Sequence, residues 1–184
     1  VTGTNGCTAS DVVLVNVNTV SPLADAGPDR NLTCSVTSAT IGTASIVGNT
    51  YSWSPATALN SSSIAQPTAN PGVTTTYTVT VTGSNGCTST DVVVVNVNTT
   101  PPVADAGSDK TLTCAITSVN IGAAPVVGNT YSWSPATGLS ATNIAQPVAS
   151  PISTTSYTVT VTGTNGCTAS DVVVITVNTT QKNA

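Results

Sequence analysis

The stretch TYTVTVTGSNGCTSTDVVVVNV, residues 76–97, determines the fold class of this chain. From Thr76 to Thr82 apolar and polar side chains alternate, which is the pattern of a β-strand with one face toward a core. Gly83–Gly86 supplies glycine and asparagine for a tight turn, and Val92–Val97 forms the returning strand. The stretch therefore predicts a β-hairpin whose inward-facing residues are Tyr77, Val79, Val81, Val93, Val95 and Val97.

The same hairpin recurs because the chain is a repeat protein. The motif VTGTNGC at Val1 returns as VTGSNGC at Val81 and as VTGTNGC at Val161, a period of 80 residues without insertion or deletion. In this frame 21–100 and 101–180 are complete repeats, 1–20 is the C-terminal hairpin of a preceding truncated repeat, and 181–184 start the next linker. We interpret the chain as part of a longer array.

Each repeat contains further short strand patterns between turn signals. Several short strands in about 80 residues are typical of an all-β sandwich. Trp53 and Trp133 occur in the same YSWSPAT context, and we expect them to fill the two cores together with Tyr77 and Tyr157. The alternative is a sugar-stacking role for the two tryptophans.

The shorter strands are expected around Leu32–Cys34, Ala39–Ile41, Tyr51–Ser54 and Ile64–Gln66.

The composition restricts the function. Only 5% of the residues are charged, against a usual share of about 25%, and the chain contains no His. Three basic residues cannot form a nucleic-acid surface, and without His, Glu or more Lys nothing would activate a Ser or Thr nucleophile. No apolar run approaches the roughly 20 residues of a membrane span. We therefore expect a non-enzymatic protein that binds no nucleic acid and has no membrane span.

The five cysteines occupy two positions of the repeat frame. Cys34 and Cys114 lie in the early strands, and Cys87 and Cys167 follow the hairpin turns. One bridge in each repeat is the simplest pairing, so we predict Cys34–Cys87 and Cys114–Cys167, with the partner of Cys7 outside the chain. Two Cys per repeat and no His do not make a zinc site. Disulfides would place the protein in an oxidising, extracellular compartment.

The aspartates also fall at repeated positions. Asp105, Asp109 and Asp171 are expected near the junction with the preceding repeat, where three carboxylates would suit Ca²⁺. The alternative, which we favour, is that they shape turns and strand ends and that the chain has no cofactor. The equivalent set in the first repeat is Asp25, Asp29 and Asp91.

The motifs ADAGSDKTLTC, YSWSPATGLS, NIAQPVASP and TTSYTVTVTGTNGC resemble the PKD-like, immunoglobulin-like repeats of large secreted surface proteins of Bacteroidota, of the adhesin or gliding-motility type. The resemblance covers each full repeat. It implies tandem immunoglobulin-like (PKD-like) β-sandwich domains in a linear array, located at the cell surface. Antibody domains place a Tyr two residues before the second Cys, whereas Tyr77 precedes Cys87 by ten. The bridge would therefore join an early strand to the start of the last strand.

Three functions remain open from the sequence. The first is a structural segment that extends and stiffens an extracellular adhesin, stalk or filament, with neighbouring repeats and other copies as partners. The second is a self-assembling filament subunit, because the hairpin 1–18 would expose Val13, Val15 and Val17 until it finds partner strands. The third is an adhesive module that binds a glycan or another surface ligand.

Overall fold

The computed structural model describes residues 1–179. The predicted linker residues 181–184 lie outside the described part of the chain. Within residues 1–179 every regular element is a β-strand, and the strands form two copies of the same sandwich. The predicted fold class, tandem immunoglobulin-like β-sandwich domains, is confirmed.

Each repeat contains six strands in equivalent positions. In the first repeat they are β1 (Arg30–Thr33), β2 (Ala39–Thr40), β3 (Thr50–Ser54), β4 (Thr68–Ala69), β5 (Thr75–Thr82) and β6 (Thr88–Asn98). In the second they are β7 (Lys110–Leu112), β8 (Val119–Asn120), β9 (Thr130–Ser134), β10 (Val148–Ala149), β11 (Thr155–Thr162) and β12 (Thr168–Val177).

Two sheets face each other across the core of each repeat. The larger sheet of the first repeat has the order β1-β6-β5-β3, and β2 pairs with β4 in the smaller one. Most pairs are antiparallel, but β1 runs parallel to β6, with Thr33 opposite Asn98. The second repeat has the same arrangement, with β7 parallel to β12. The ends of β1 and β6 therefore meet at the C-terminal end of the repeat.

The hairpin of β5 and β6 is confirmed, and the returning strand is longer than predicted. It begins at Thr88 instead of Val92, because the antiparallel ladder continues up to the turn, with Thr82 opposite Thr88. Thr and Ser side chains fit a pleated surface, so polarity does not end the strand. The inward-facing row is buried as expected, except for Val97, which is partly buried.

The predicted strand at Ile64–Gln66 is wrong. This segment wraps around the Trp53 side chain, and the indole Nε1 donates a hydrogen bond to the Ile64 carbonyl at 2.9 Å. The Ile64 carbonyl therefore accepts a hydrogen bond from the buried indole and not from a neighbouring strand. The short strand forms four residues later, where Thr68–Ala69 pairs with Ala39–Thr40.

Residues 1–20 form a turn followed by an extended segment. The predicted hairpin at 1–20 is formed only at its tip, where Thr2 and Thr8 make an isolated bridge and Val1 and Ala9 exchange backbone hydrogen bonds. The prediction of a returning strand is wrong here, because residues 9–20 belong to no strand and no core covers their valines. Val13 is 84% exposed, whereas its counterparts Val93 and Val173 are completely buried. The predicted exposure of Val13, Val15 and Val17 is confirmed.

Candidate functional site: a bridged junction between repeats

The cysteines pair across the repeats. Cys34 is bonded to Cys167, with their Cα atoms 5.0 Å apart and a sequence separation of 133. Cys7, Cys87 and Cys114 are free thiols. The predicted bridges Cys34–Cys87 and Cys114–Cys167 are therefore wrong.

The parallel pairing of β1 explains the correction. Cys34 directly follows β1 at the end of β6 that carries Asn98, while Cys87 precedes the other end of β6. The 11 residues of β6 span ten steps of about 3.3 Å, or roughly 33 Å. A disulfide needs Cα atoms about 4.4–6.8 Å apart, so the two cysteines of one repeat are far out of reach.

Cys167 is within reach because the β11–β12 turn lies at the N-terminal end of the second repeat. That end faces the C-terminal end of the first repeat, where the Cys34 Sγ lies 4.0 Å from the Thr99 carbonyl oxygen. The bridge therefore closes the junction between the two domains.

An asparagine in the turn fastens the same junction. The Asn165 Nδ2 donates hydrogen bonds to the Thr100 carbonyl at 2.9 Å and to the Asn98 side-chain oxygen at 3.1 Å. Its Oδ1 accepts a hydrogen bond from the Cys167 amide at 3.1 Å, which holds the cysteine in the turn. One side chain thus links the linker, the turn and the disulfide.

The preceding junction repeats these contacts. The Asn85 Nδ2 donates to the Val20 carbonyl at 2.9 Å and to the Asn18 carbonyl at 3.2 Å. The Asn85 Oδ1 accepts from the Cys87 amide at 3.1 Å. The arrangement of linker and turn is therefore a property of the repeat and occurs at both junctions.

A glycine allows the domains to come this close. Gly166 has a φ of +74°, and a Cβ at this position would overlap the Ser35 Oγ of the first repeat. Its counterpart Gly86 has a φ of +80°, but a Cβ there would meet no atom within 4 Å. Gly166 therefore serves two needs, the turn conformation and the contact between domains.

The calcium cluster, the less favoured of the two interpretations of the aspartates, is not formed. Among residues 1–179 no three Asp, Glu, His or Cys side chains are close enough to hold a metal ion. Asp91 and Asp171 accept hydrogen bonds from the Ala26 and Ala106 amides, each at 2.8 Å. The other carboxylates that had been expected in the cluster also accept amide hydrogen bonds: Asp25 from Gly27, Asp29 from Val94, Asp105 from Gly107 and Asp109 from Val174.

These hydrogen bonds tie the ADAG loop of each repeat to its last strand. The Ala106 and Val172 amides hold the pKa of Asp171 below its ordinary value, and partial desolvation opposes them weakly. A carboxylate with lowered pKa prefers its charged form, which is the form that accepts two amide hydrogen bonds. The carboxylate is therefore a structural clasp.

The aromatic residues expected in the cores are there. Trp53 and Trp133 are each 3% exposed, so they offer no surface on which a sugar could stack. Tyr77 and Tyr157 are fully buried and donate hydrogen bonds to backbone carbonyls 20 residues upstream. Burial raises the pKa of both phenols, while a hydrogen bond with Thr155 lowers that of Tyr157 slightly.

Sequence reasoning missed the junction residues Asn85, Asn165, Gly166 and Ser35. The signal was present, because the pattern GxNGC stands at the same place in all three copies of the hairpin. Turn formation alone accounts for Asn and Gly in such a pattern, so nothing in it indicated a contact with the next domain.

No protein-family model matches the chain, and no curated protein sequence matches it. Solved structures are similar to it. Extracellular domains 3–5 of Drosophila OTK share 16% identity over 83% of this chain and 60% of that one, with a TM-score of 0.46. Protocadherin gammaB7 EC3-6 shares 13% over 89% of this chain and 48% of that one, with a TM-score of 0.43. The PKD domain from the KIAA 1837 protein shares 25% over 48% of this chain and 99% of that domain, with a TM-score of 0.36.

The chain thus spans 60% and 48% of the first two of these structures. All three TM-scores are below 0.5. Within residues 1–179 the structure has no helix long and apolar enough to cross a membrane.

Proposed function

We propose that the chain is a structural segment of an extracellular stalk, adhesin or filament, in which the repeats extend and stiffen the protein away from the cell. The Cys34–Cys167 bridge is the observation that supports this role most directly. It adds a second covalent connection beside the linker, so the two domains are joined at two places. A junction fixed at two places resists bending more than a linker alone.

The composition of the chain agrees with this role. Among residues 1–179 no charged or polar residue is buried, and the Asp side chains accept hydrogen bonds from backbone amides. Disulfide formation requires an oxidising compartment, which supports a location outside the cytoplasm. Successive units use the same residues at their junctions, as expected where each unit does the same mechanical work. The same features support a non-enzymatic role.

Small-angle X-ray scattering tests the stiff junction. The oxidised chain should give the maximum dimension of two sandwiches in a fixed orientation, and the Cys34→Ser variant should give a broader distribution of interatomic distances. Monomers separated by size exclusion are compared, and Cys87→Ser is the matched control because Cys87 has no disulfide partner in the chain. If oxidised protein and Cys34→Ser gave the same scattering curve, the bridge would not stiffen the array.

Electron microscopy of the native material tests the role itself. Thin beaded threads at the cell surface, with a regular bead spacing, are the expected result. Compact particles without threads would refute the stalk, whatever the scattering of the isolated chain.

One observation favours self-assembly as a second function. The extended segment 9–20 exposes a row of apolar side chains that the other two hairpins bury, including Val13 and Val15. Such a segment can pair with a strand from another chain. Sedimentation should then show mass that rises with concentration in reductant, and a Val13→Thr, Val15→Thr, Val17→Thr variant should stay monomeric.

A further inference from the structure

Two of the free cysteines occupy positions that are bonded at the observed junction. Cys114 lies 80 residues after Cys34, and Cys87 lies 80 residues before Cys167. Cys114 is at the C-terminal end of the second repeat, and Cys87 is at the N-terminal end of the first. Each end of the pair of complete repeats therefore carries one free cysteine at a position that is disulfide-bonded in the observed junction.

Each free cysteine has the surroundings of its bonded counterpart. The Cys114 Sγ lies 3.7 Å from the Thr179 carbonyl oxygen, as the Cys34 Sγ lies 4.0 Å from that of Thr99. The Cys87 amide is held by Asn85 at 3.1 Å, the same distance as between Cys167 and Asn165. Both free cysteines therefore keep the local contact that their bonded counterparts make.

The surfaces around the two thiols are open. Cys114 is exposed and Cys87 is half-buried, whereas Cys167 at the occupied junction is 2% exposed. Gly86 leaves free the space that Ser35 fills beside Gly166. The residue that would enter it is Ala115, which is smaller than Ser35, so the contact fits without overlap.

We propose that Cys114 of one unit forms a disulfide with the hairpin cysteine of the next unit, equivalent to Cys87, and so repeats the Cys34–Cys167 junction. The partner is another unit of this same repeat, in the same chain or in a second copy. A second copy reaches Cys87 by displacing residues 18–20, which Asn85 holds through three hydrogen bonds, and residues 10–17 have no strand partner that would resist this displacement. This inference holds whether or not the array is a stalk.

The oxidant is a small disulfide such as glutathione disulfide. The Cys114 thiolate attacks one sulfur of the disulfide and releases one thiol, which leaves a mixed disulfide. The second protein thiolate then displaces the other half as a second thiol. Two protein thiols are oxidised, one small disulfide is reduced to two thiols, and the two protons pass to those thiols.

The first experiment uses the complete 184-residue chain with Cys7→Ser, so that Cys7 cannot substitute for Cys87. In glutathione buffer this protein should form a ladder of linear multimers on non-reducing gels. Adding Cys87→Ser or Cys114→Ser should each abolish the ladder. An equimolar mixture of those two variants should give dimers only, whose cross-linked peptide joins Cys114 to Cys87.

The second experiment examines a partner in the same chain. A copy of residues 101–180 is inserted after residue 180, which places a new hairpin cysteine beside Cys114. Peptide mapping should find Cys114 bonded to that cysteine and Cys34 still bonded to Cys167. If this bond forms but the first experiment gives no multimers, the proposal is supported and the partner of Cys114 is restricted to the same chain.

Two results would overturn the proposal. One is the absence of the Cys114 bond in both experiments. The other is dimer formation by the Cys87→Ser and Cys114→Ser variants alone as efficient as in their mixture, because this would show random oxidation of exposed thiols.

Discussion

Gly166 and Gly86 hold the same place in their turns and have nearly the same φ, but only Gly166 faces another domain. Comparing the two glycines separates two costs of adding a side chain that usually occur together. One is the cost of a positive φ, and the other is the cost of placing the side chain in a tight contact. The same comparison holds for Asn165, which is half-buried at the bridged junction, and Asn85, which is exposed.

Gly86→Ala and Gly166→Ala are expected to differ in their effects. Both place a Cβ at positive φ, which costs about 1–2 kcal/mol in the free energy of unfolding of the affected repeat. Only Gly166→Ala also pushes Ser35 away, so it should slow formation of the Cys34–Cys167 bond as well. Denaturant unfolding and titration of free thiols during oxidation measure the two effects. Equal bond formation in the two variants would refute the close contact.

Asp171 predicts a pH dependence. Its pKa is lowered in the folded protein, so its contribution to stability is full above the unfolded pKa of about 4 and is lost as pH falls through the lower folded value. Asp171→Asn should therefore reduce the free energy of unfolding at neutral pH, and its deficit relative to wild type should shrink below about pH 3. Denaturant unfolding at both pH values provides the measurement. A stability deficit that is the same at both pH values would contradict the structural role of the Asp171 carboxylate.

The sequence was sufficient to predict the role of residues that are buried in the core. It was not sufficient for residues whose role depends on a hydrogen-bond partner far away in the chain. Tyr77 and Trp53 could be placed in the core because alternation and context are local properties. The hydrogen-bond partners of Asp171 and Asn165 belong to loops far along the chain, and no local pattern indicates them. Grouping the aspartates by repeat position suggested calcium as the less favoured interpretation, and among residues 1–179 the fold forms no such cluster.

Two elements show how far a strand depends on its partner. Residues 1–13 and 161–173 have the same sequence, yet the second segment contains the end of β11 and half of β12, while the first contains only a turn and an unpaired extension. The difference arises from packing, because β11 and the core of the second repeat cover the valines of β12.

Val173→Thr and Val13→Thr make the same change in these two settings. At Val173 the new hydroxyl is buried without a partner, and the free energy of unfolding should fall by about 1–3 kcal/mol. At the exposed Val13 the same substitution should have no measurable effect. Thermal unfolding followed by circular dichroism compares the two, and an equal loss of stability would indicate that residues 9–17 are packed in solution.

Periodicity predicted the long hairpins and their buried rows, but it could not give the direction of β1. An alternating pattern is the same for parallel and antiparallel strands, and only the parallel pairing takes Cys34 away from Cys87. The misplaced strand at Ile64–Gln66 has a similar origin, since the need of the Trp53 indole for a carbonyl does not appear in a pattern of apolar residues.

Across the whole molecule, the Cys34–Cys167 bridge should couple the unfolding of the two repeats. Cys34→Ser leaves both cores intact, so each repeat should still fold. The oxidised protein should resist denaturant more strongly, by up to about 5 kcal/mol for a closed loop of more than 100 residues. Chemical denaturation of Cys34→Ser beside Cys87→Ser measures this. An unchanged midpoint in Cys34→Ser would mean that the bridge adds no stability.

The bridge also determines which part of the chain carries tension. A pull applied to the two ends passes from Cys34 directly to Cys167, so the 133 residues of separation between them bear no load while the bond is intact. At about 3.4 Å per residue this is on the order of 450 Å of contour length held in reserve. The oxidised junction therefore cannot release this length under tension, whereas after reduction a force that unfolds the repeats can extend the chain by it.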